Sequence, residues 1–363
     1  MKLAQSSRPS AFLSACILGL HLCAPAPAQH TGSTSQRTAA PPQNTAKSSQ
    51  ITPYDYGAVY SDASVDESTA LRAAVNASLA TGLPLDLAGG KWRIDSTIEA
   101  VGDLHLRNGS IHTNIGSNFG LAILPASPAG YVSPTIENVT FHKIQQQGVV
   151  GLWIQRGHHV QMRSVNFTNF RNGESTALLL EQVQVLSWFG GFLTENDRHM
   201  AVSGGISTDL KIYGVWFQDS KSSSYAGVTL EGVAGVTFSG CSFDIARSRS
   251  LLSLSDSKNI SFVDTRFEKP SYPGQGLLPD VSYPAVELNG DSVNIRFMRN
   301  YFSNTQVTES GGNQAEVVRI DPLVQGNIVL IANTFPASSP PITSGGTAEL
   351  QYRALMNTGL ADH

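Results

Sequence analysis

Charge gathers at one recurring place in the middle of the chain. The six-residue segments that follow Phe167, Leu193, Phe217, Phe243 and Phe267 are charged at eleven of thirty positions, against 14% for the whole sequence. They hold Arg171; Glu195, Asp197 and Arg198; Asp219 and Lys221; Asp244, Arg247 and Arg249; and Glu268 with Lys269. Glu195 and Asp219 each stand two residues past such an anchor, so stacking of the segments at a strand spacing of roughly 4.8 Å brings the two carboxylates together. Carboxylates held that close share a proton, which raises one pKa, and separations of about 5 to 9 Å suit glycoside hydrolysis. Arg198, Lys221, Arg247 and Arg249 can pair with uronate carboxylates, or one can stabilise or accept charge in an elimination. The catalytic candidates are therefore Glu195, Asp197, Arg198, Asp219, Lys221, Asp244 and Arg247, with Trp153, Arg171, His199 and Arg249 as candidates for substrate binding. Such an acidic cluster could also hold Ca²⁺, although no compact calcium loop is present. The plain alternative is that turns collect charge in any protein and that alternating signs form ion-pair ladders.

Other reactive side chains read differently. Trp153 faces outward if Leu152 and Ile154 face inward, as does Trp216 between Val215 and Phe217, and an outward Trp is a platform for a sugar ring. Trp188 takes an inward position and reads as core. His199 can serve as a general base, but a lone loop His is usually just solvated. His158 and His159 lack further ligands at metal spacing. Cys241 beside an inward-facing stretch reads as a packed thiol.

The elements that position these residues repeat. A pattern of apolar, any, apolar, four residues, apolar recurs nine times, from Leu104-x-Leu106…Ile111 to Ile328-x-Leu330…Phe335. Spacings between the second positions are 30, 26, 26, 24, 26, 24, 35 and 33 residues, which indicates a unit of about 25 residues with two longer insertions late in the chain. Apolar residues two apart share one side of an extended strand, and a further strand such as Leu178-Leu179-Leu180 or Val286-Glu287-Leu288 precedes several copies. Two residues past the second apolar position stand Asn108, Asn138, Ser164, Gly190, Gly214, Gly240 and Asp264, types that accept a sharp or left-handed corner. Arg299 and Ala332 break this rule in the last two copies.

Seven of the nine final apolar positions are Phe, so superimposed copies stack Phe on Phe. Three short strands, a corner and no helical period make one rung of a solenoid. Nine rungs would form a rod of about 40 Å. The fold class is all-β: a single-stranded, right-handed parallel β-helix of about nine or more rungs. A capping helix is expected over Val65 to Ala80, where Leu71, Val75 and Leu79 share one face, and a short helix over Thr347 to Met356.

With 24 Lys and Arg against 28 Asp and Glu, the formal charge is −4, which lacks the basic surplus of nucleic-acid binding. Residues 1–28 read as an export signal, with Lys2 and Arg8 before the apolar stretch Ala11 to Cys23 and the small-x-small site Ala26-Pro27-Ala28. Leu13-Ser14-Ala15-Cys16 offers lipidation as a second route. That apolar stretch is too short to span a bilayer. Secretion or a periplasmic location follows, and loss of Cys16 and Cys23 with the signal would leave Cys241 without an intramolecular disulfide partner. Residues 29–50, rich in Ser, Thr, Gln and Pro, form a flexible leader. Residues 51–340 form the solenoid with its N-terminal cap, and 341–363 a C-terminal cap or tail.

Asp55-Tyr56-Gly57-Ala58, Asp66-Glu67-Ser68-Thr69-Ala70-Leu71-Arg72-Ala73-Ala74-Val75, Pro84-Leu85-Asp86-Leu87 and Gly89-Gly90-Lys91-Trp92-Arg93-Ile94 resemble the opening segment of the pectate lyase superfamily, in its branch of rhamnogalacturonases and epimerase-like proteins. The resemblance covers residues 53–335, although Tyr60-Ser61-Asp62-Ala63-Ser64 stands where Gly-Asp-Gly is usual. It implies an exported β-helix acting on or binding polysaccharide, with the loop between third and first strands bordering the groove. The Asn-Thr-Asp, Asp-Asp and Gly-His-Gly segments of polygalacturonases and the Arg-x-Pro-x-x-Arg of pectate lyases are absent, so no catalytic residue transfers. The expected activity is that of a glycoside hydrolase or polysaccharide lyase, with a non-catalytic carbohydrate-binding or adhesion protein as the alternative.

Overall fold

The computed structural model describes residues 49–335 except 117, 146, 206, 223, 248, 269–282, 304–316, 323 and 325–326, together with 342–344, 352–355 and 357. The segment expected to be an export signal, nearly all of the expected leader and most of both late insertions lie outside the described residues.

The first strand of each rung carries two inward apolar residues with an outward one between them. Leu152 and Ile154, Leu178 and Leu180, Met200 and Val202, Val228 and Leu230, and Leu252 and Leu254 are all buried. Each pair lies in parallel register with the next, and ten such strands form one sheet from Ile98–Val101 to Ile342–Ser344. The second and third strands stack likewise. They merge into one nineteen-stranded sheet, because His105–Thr113 and Thr135–Lys143 run unbroken through the corner between them. The chain is a right-handed parallel β-helix.

The corner is more uniform than the residue types in it. Asn108, Asn138, Ser164, Gly190, Gly214, Gly240 and Asp264 have φ between 51° and 64°, and Arg299 and Ala332 join them at 55° and 53°. The last two rungs therefore keep the left-handed corner that their residue types did not suggest. Parallel register across the sheet fixes the backbone there, and a non-glycine residue accepts a cost of about 1 kcal/mol. Arg299 recovers part of it by a two-pronged ion pair with Asp264, the corner residue one rung earlier, at 2.8 Å to each oxygen.

Phe rings fill the interior as the repeat requires. Phe217, Phe243, Phe267, Phe302 and Phe335 stack face to face with centroids 4.8 to 5.0 Å apart, and Phe238, Phe262 and Phe297 form a second column at 5.0 to 5.2 Å. Trp188 is buried in the same core. Just past the corner, late rungs place amides inside. Asn300 accepts from the Thr265 N–H (2.8 Å), Asn333 from the Asn300 N–H (2.9 Å) and Asn357 from the Asn333 N–H (2.7 Å). Their amide groups donate to the carbonyls of Phe262, Phe297 and Leu330, so these buried polar atoms are satisfied.

At the N-terminal side the helix runs over Ser68–Thr81 and ends at Gly82 with φ 69°. Its buried face, with Leu71, Ala74 and Val75, joins the solenoid core. At the other side the expected helix over Thr347 to Met356 is not formed in its described part. Tyr352–Leu355 instead pairs in parallel with Ile328–Ile331, because the open edge of the preceding rung offers main-chain hydrogen bonds that a helix would leave unmade. No helix among the described residues is long and apolar enough to cross a membrane.

Candidate functional site

The loop between third and first strands begins with another left-handed residue. Asn169, Glu195, Asp219 and Ile245 have φ of 65°, 56°, 60° and 58°, and strand register aligns them on consecutive rungs. Glu195 and Asp219 thus occupy equivalent positions, as the spacing predicts, but each carboxylate is paired with a cation of its own. Glu195 pairs with Arg171 at 3.3 Å on an exposed surface. Asp219 takes the Arg247 guanidinium on both oxygens at 2.5 and 3.0 Å, with the Lys221 ammonium at 3.4 Å. Burial alone would raise the Asp219 pKa, but Arg247 and Lys221 outweigh it and hold the carboxyl below its ordinary value. The expected carboxylate dyad is therefore replaced by two ion-paired clusters, and Lys221 and Arg247 spend their charge on Asp219.

Asp197 and His199 lie inside. Asp197 accepts from the backbone N–H groups of Asn172 (3.1 Å) and Ser175 (2.9 Å), and burial pushes its pKa up against those bonds. From the rung before, the buried Lys143 donates to the carbonyls of Arg171 (2.6 Å) and Asn172 (2.8 Å) and to the Ser175 hydroxyl (2.7 Å). Burial lowers the Lys143 pKa to about 8. Asp197 is thus a loop-fastening residue closed to substrate. His199 is the second residue of the strand Arg198–Ser203 and is only 2% exposed, so it is neither a solvated loop His nor a binding residue. Its Nδ1 lies 3.0 Å from the Asn196 amide nitrogen, and burial drives its pKa down to about 3.

On the outer face of the ten-stranded sheet and the loop edge before it, the structure gathers a set that the charge count missed. Val228, Leu252 and Val286 pair in register, which aligns Tyr225, Arg249 and Tyr283 three residues before them. The Arg198 guanidinium lies over the Tyr225 ring at 4.2 Å, and that of Arg249 over Tyr283 at 5.0 Å. Arg198 is fixed in plane by two bonds to the Thr176 hydroxyl, at 2.9 and 2.8 Å. Glu287, outward between Val286 and Leu288, is mostly buried, and its oxygen lies 3.9 Å from the Arg319 guanidinium. Burial raises the Glu287 pKa, opposed by Arg319 and Arg249. The signal for Glu287 and Arg319 was in the sequence: each is the middle residue of an apolar-x-apolar first strand, as Trp153 is. Trp153 is on this face but half-covered, stacked on Phe119 with centroids 4.4 Å apart and donating to Glu181 at 3.1 Å.

Asp244 belongs elsewhere. It follows Phe243 within a third strand, in register with Gln218 and Glu268, and lines a groove of about 280 Å³ beside Trp216 on the outer face of that stack. Glu268 is ion-paired with Arg266. Cys241 is buried, its thiol pushed up to about 11 by burial, so it is a packed thiol and not a nucleophile. No group of three or more His, Cys, Asp and Glu side chains converges to hold a metal among the described residues.

No family model and no curated protein matches the sequence. Among solved structures, ORF18 of Geobacillus virus E2 is similar at 15% identity and a TM-score of 0.58, over 85% of this chain and 60% of that one. A tailspike of an Acinetobacter phage matches at 12% identity and a TM-score of 0.48, over 86% of this chain and 61% of the tailspike. The A-module of the Azotobacter vinelandii mannuronan C-5 epimerase AlgE6 matches at 13% and 0.44, over 86% of this chain and all of that one. The chain thus spans about three fifths of the first two. The likeness to ORF18 shows a shared fold.

Proposed function

On a solenoid of the pectate lyase-like kind, we propose that the chain is an exported protein that engages polysaccharide along the outer face of its ten-stranded sheet, where an acidic glycan is bound and cleaved. The observation that carries this reading is the pair of cation-on-ring contacts, Arg198 over Tyr225 and Arg249 over Tyr283, repeated along one loop edge. An alternation of guanidinium and phenol ring suits a chain of sugar rings bearing carboxylates: rings stack on aromatic faces and carboxylates pair with Arg. Glu287 supplies the acid. A half-buried carboxyl whose pKa lies above its ordinary value keeps its proton for a leaving oxygen at a pH where exposed carboxylates have lost theirs.

A second reading is that the face only binds. It is favoured by the pairing of three acids of the central loop strip with cations, Glu195 with Arg171, Asp219 with Arg247 and Lys221, and Glu268 with Arg266.

Incubation of the full chain with polygalacturonate and alginate, with and without Ca²⁺, separates the readings. Absorbance of unsaturated uronates marks a lyase, and new reducing ends without it mark a hydrolase. Glu287→Gln abolishes either signal while Arg249→Ala weakens binding, if the face is catalytic. Retardation by these polymers with no product leaves the binding reading, and absence of both product and retardation refutes the proposed face.

A further inference from the structure

A second ligand surface lies on the third-strand stack, away from the ten-stranded sheet. Parallel register lines up Phe192, Trp216, Ser242 and Arg266 on consecutive rungs. The first two stand out from the protein, with Phe192 41% and Trp216 60% exposed. An indole left that open gains little from the core, so folding does not account for it. The groove of about 280 Å³ next to it has Phe217 and Cys241 in its floor, with Gln218, Ser242 and Asp244 around them.

The corner that borders the groove is bare backbone. Gly214 and Gly240 are left-handed, and a Cβ built on either would meet nothing within 4 Å. Across that corner, exposed Phe189 stacks on Tyr213 with centroids 5.0 Å apart and planes 9° from parallel. Two aromatic pairs thus flank a low strip of glycine, open along the direction in which the rungs stack.

Charge decides what kind of ligand fits. Asp264 at the rim is matched by Arg299, and Arg266 by Glu268. Besides these ion pairs the lining offers the aromatic face of Trp216, the Gln218 amide and the Ser242 hydroxyl, which suits a ligand rich in hydroxyl groups and without charge. We propose that this groove is a binding site for a neutral glycan, with one sugar ring on Trp216 and its hydroxyls on Gln218 and Ser242. The site rests on the polysaccharide reading for the class of ligand, but uses a different face and needs no cleavage.

Affinity electrophoresis of the full chain through gels containing dextran, glucomannan or galactan tests it. Retardation by at least one neutral polymer is expected, with Trp216→Ala weakening it by tenfold or more and Gln218→Ala weakening it by a smaller factor. Arg249→Ala, on the other face, leaves it unchanged. The thermal midpoint of Trp216→Ala should equal that of the wild type, since the ring is outside the core. No retardation by any neutral polymer, or equal retardation of wild type and Trp216→Ala, overturns the proposal. So does a sedimentation change from dimer to monomer in Trp216→Ala, which would make a second copy of the chain the occupant. Cleavage of polygalacturonate or alginate is scored separately, so the loss of one site does not mask the other.

Discussion

Lys143 and Asp197 close on one loop from the two rungs that flank it. The ammonium takes the carbonyls of residues 171 and 172, and the carboxylate takes the N–H groups of residues 172 and 175. Both charges are buried, and the loop backbone between them satisfies both. Removing one partner strands the other in a low dielectric. Lys143→Met should therefore lower the unfolding free energy by about 3–5 kcal/mol, read as a fall in the urea midpoint with unchanged slope.

His199 makes stability depend on acid. Its folded pKa is about 3 against an ordinary 6.5, so between these values the unfolded chain binds a proton that the folded chain refuses. Stability is therefore full above pH 6.5 and falls as the pH drops toward 3, by about 4 kcal/mol from this group. Urea titrations from pH 7 to 3 should show the wild type losing that much more than His199→Gln. Parallel curves for the two proteins would mean that the imidazole titrates in the folded state.

The Phe column predicts a local but large loss. Phe243 contacts Phe217 and Phe267 face to face, and neither neighbour can collapse into its space without leaving its own rung. Phe243→Ala should cost about 3–5 kcal/mol. Thermal unfolding by circular dichroism checks it, and a shift no larger than that of an exposed Phe189→Ala would contradict the packed column.

Corner residues should respond to glycine in opposite directions. Ala332 is held at φ 53°, so Ala332→Gly should stabilise by about 1 kcal/mol. Gly214 has φ 61° with open space around its Cβ position, so Gly214→Ala should destabilise by a similar amount through the backbone alone. Differential scanning calorimetry of both variants measures the pair.

The solenoid was legible in the sequence because inward positions recur: Leu186, Trp188 and Leu193 have to superimpose on Leu210, Ile212 and Phe217. Outward positions carry no such constraint. Tyr225 and Tyr283 stand at equal distances before Val228 and Val286, but loops of different length hide that equality until the strands are paired. His199 was misplaced because strand alternation breaks there: with Met200 and Val202 inside, alternation would turn His199 outward, yet His199 and Met200 are both buried. Arg299 and Ala332 were misread for a related reason. A corner set by register overrides what the residue there would choose alone. Glu195 and Asp219 were correctly aligned, yet their cations come from other rungs, Arg171 and Arg247, and no local pattern announces such a pairing.

Register also closes over whatever chain lies between rungs. Leu252 pairs with Val286, and Arg266 with Tyr301, just as rungs joined by shorter connections do, although residues 269–282 intervene. Lengthening such a connection costs only about 0.6 kcal/mol per doubling, and the ladder on either side has no means of sensing it. The rod can therefore be treated as a rack with interchangeable inserts: a peptide or small domain spliced between Glu268 and Tyr283 should leave the stacking of Phe267 on Phe302 intact, while new chemistry is carried next to Arg249.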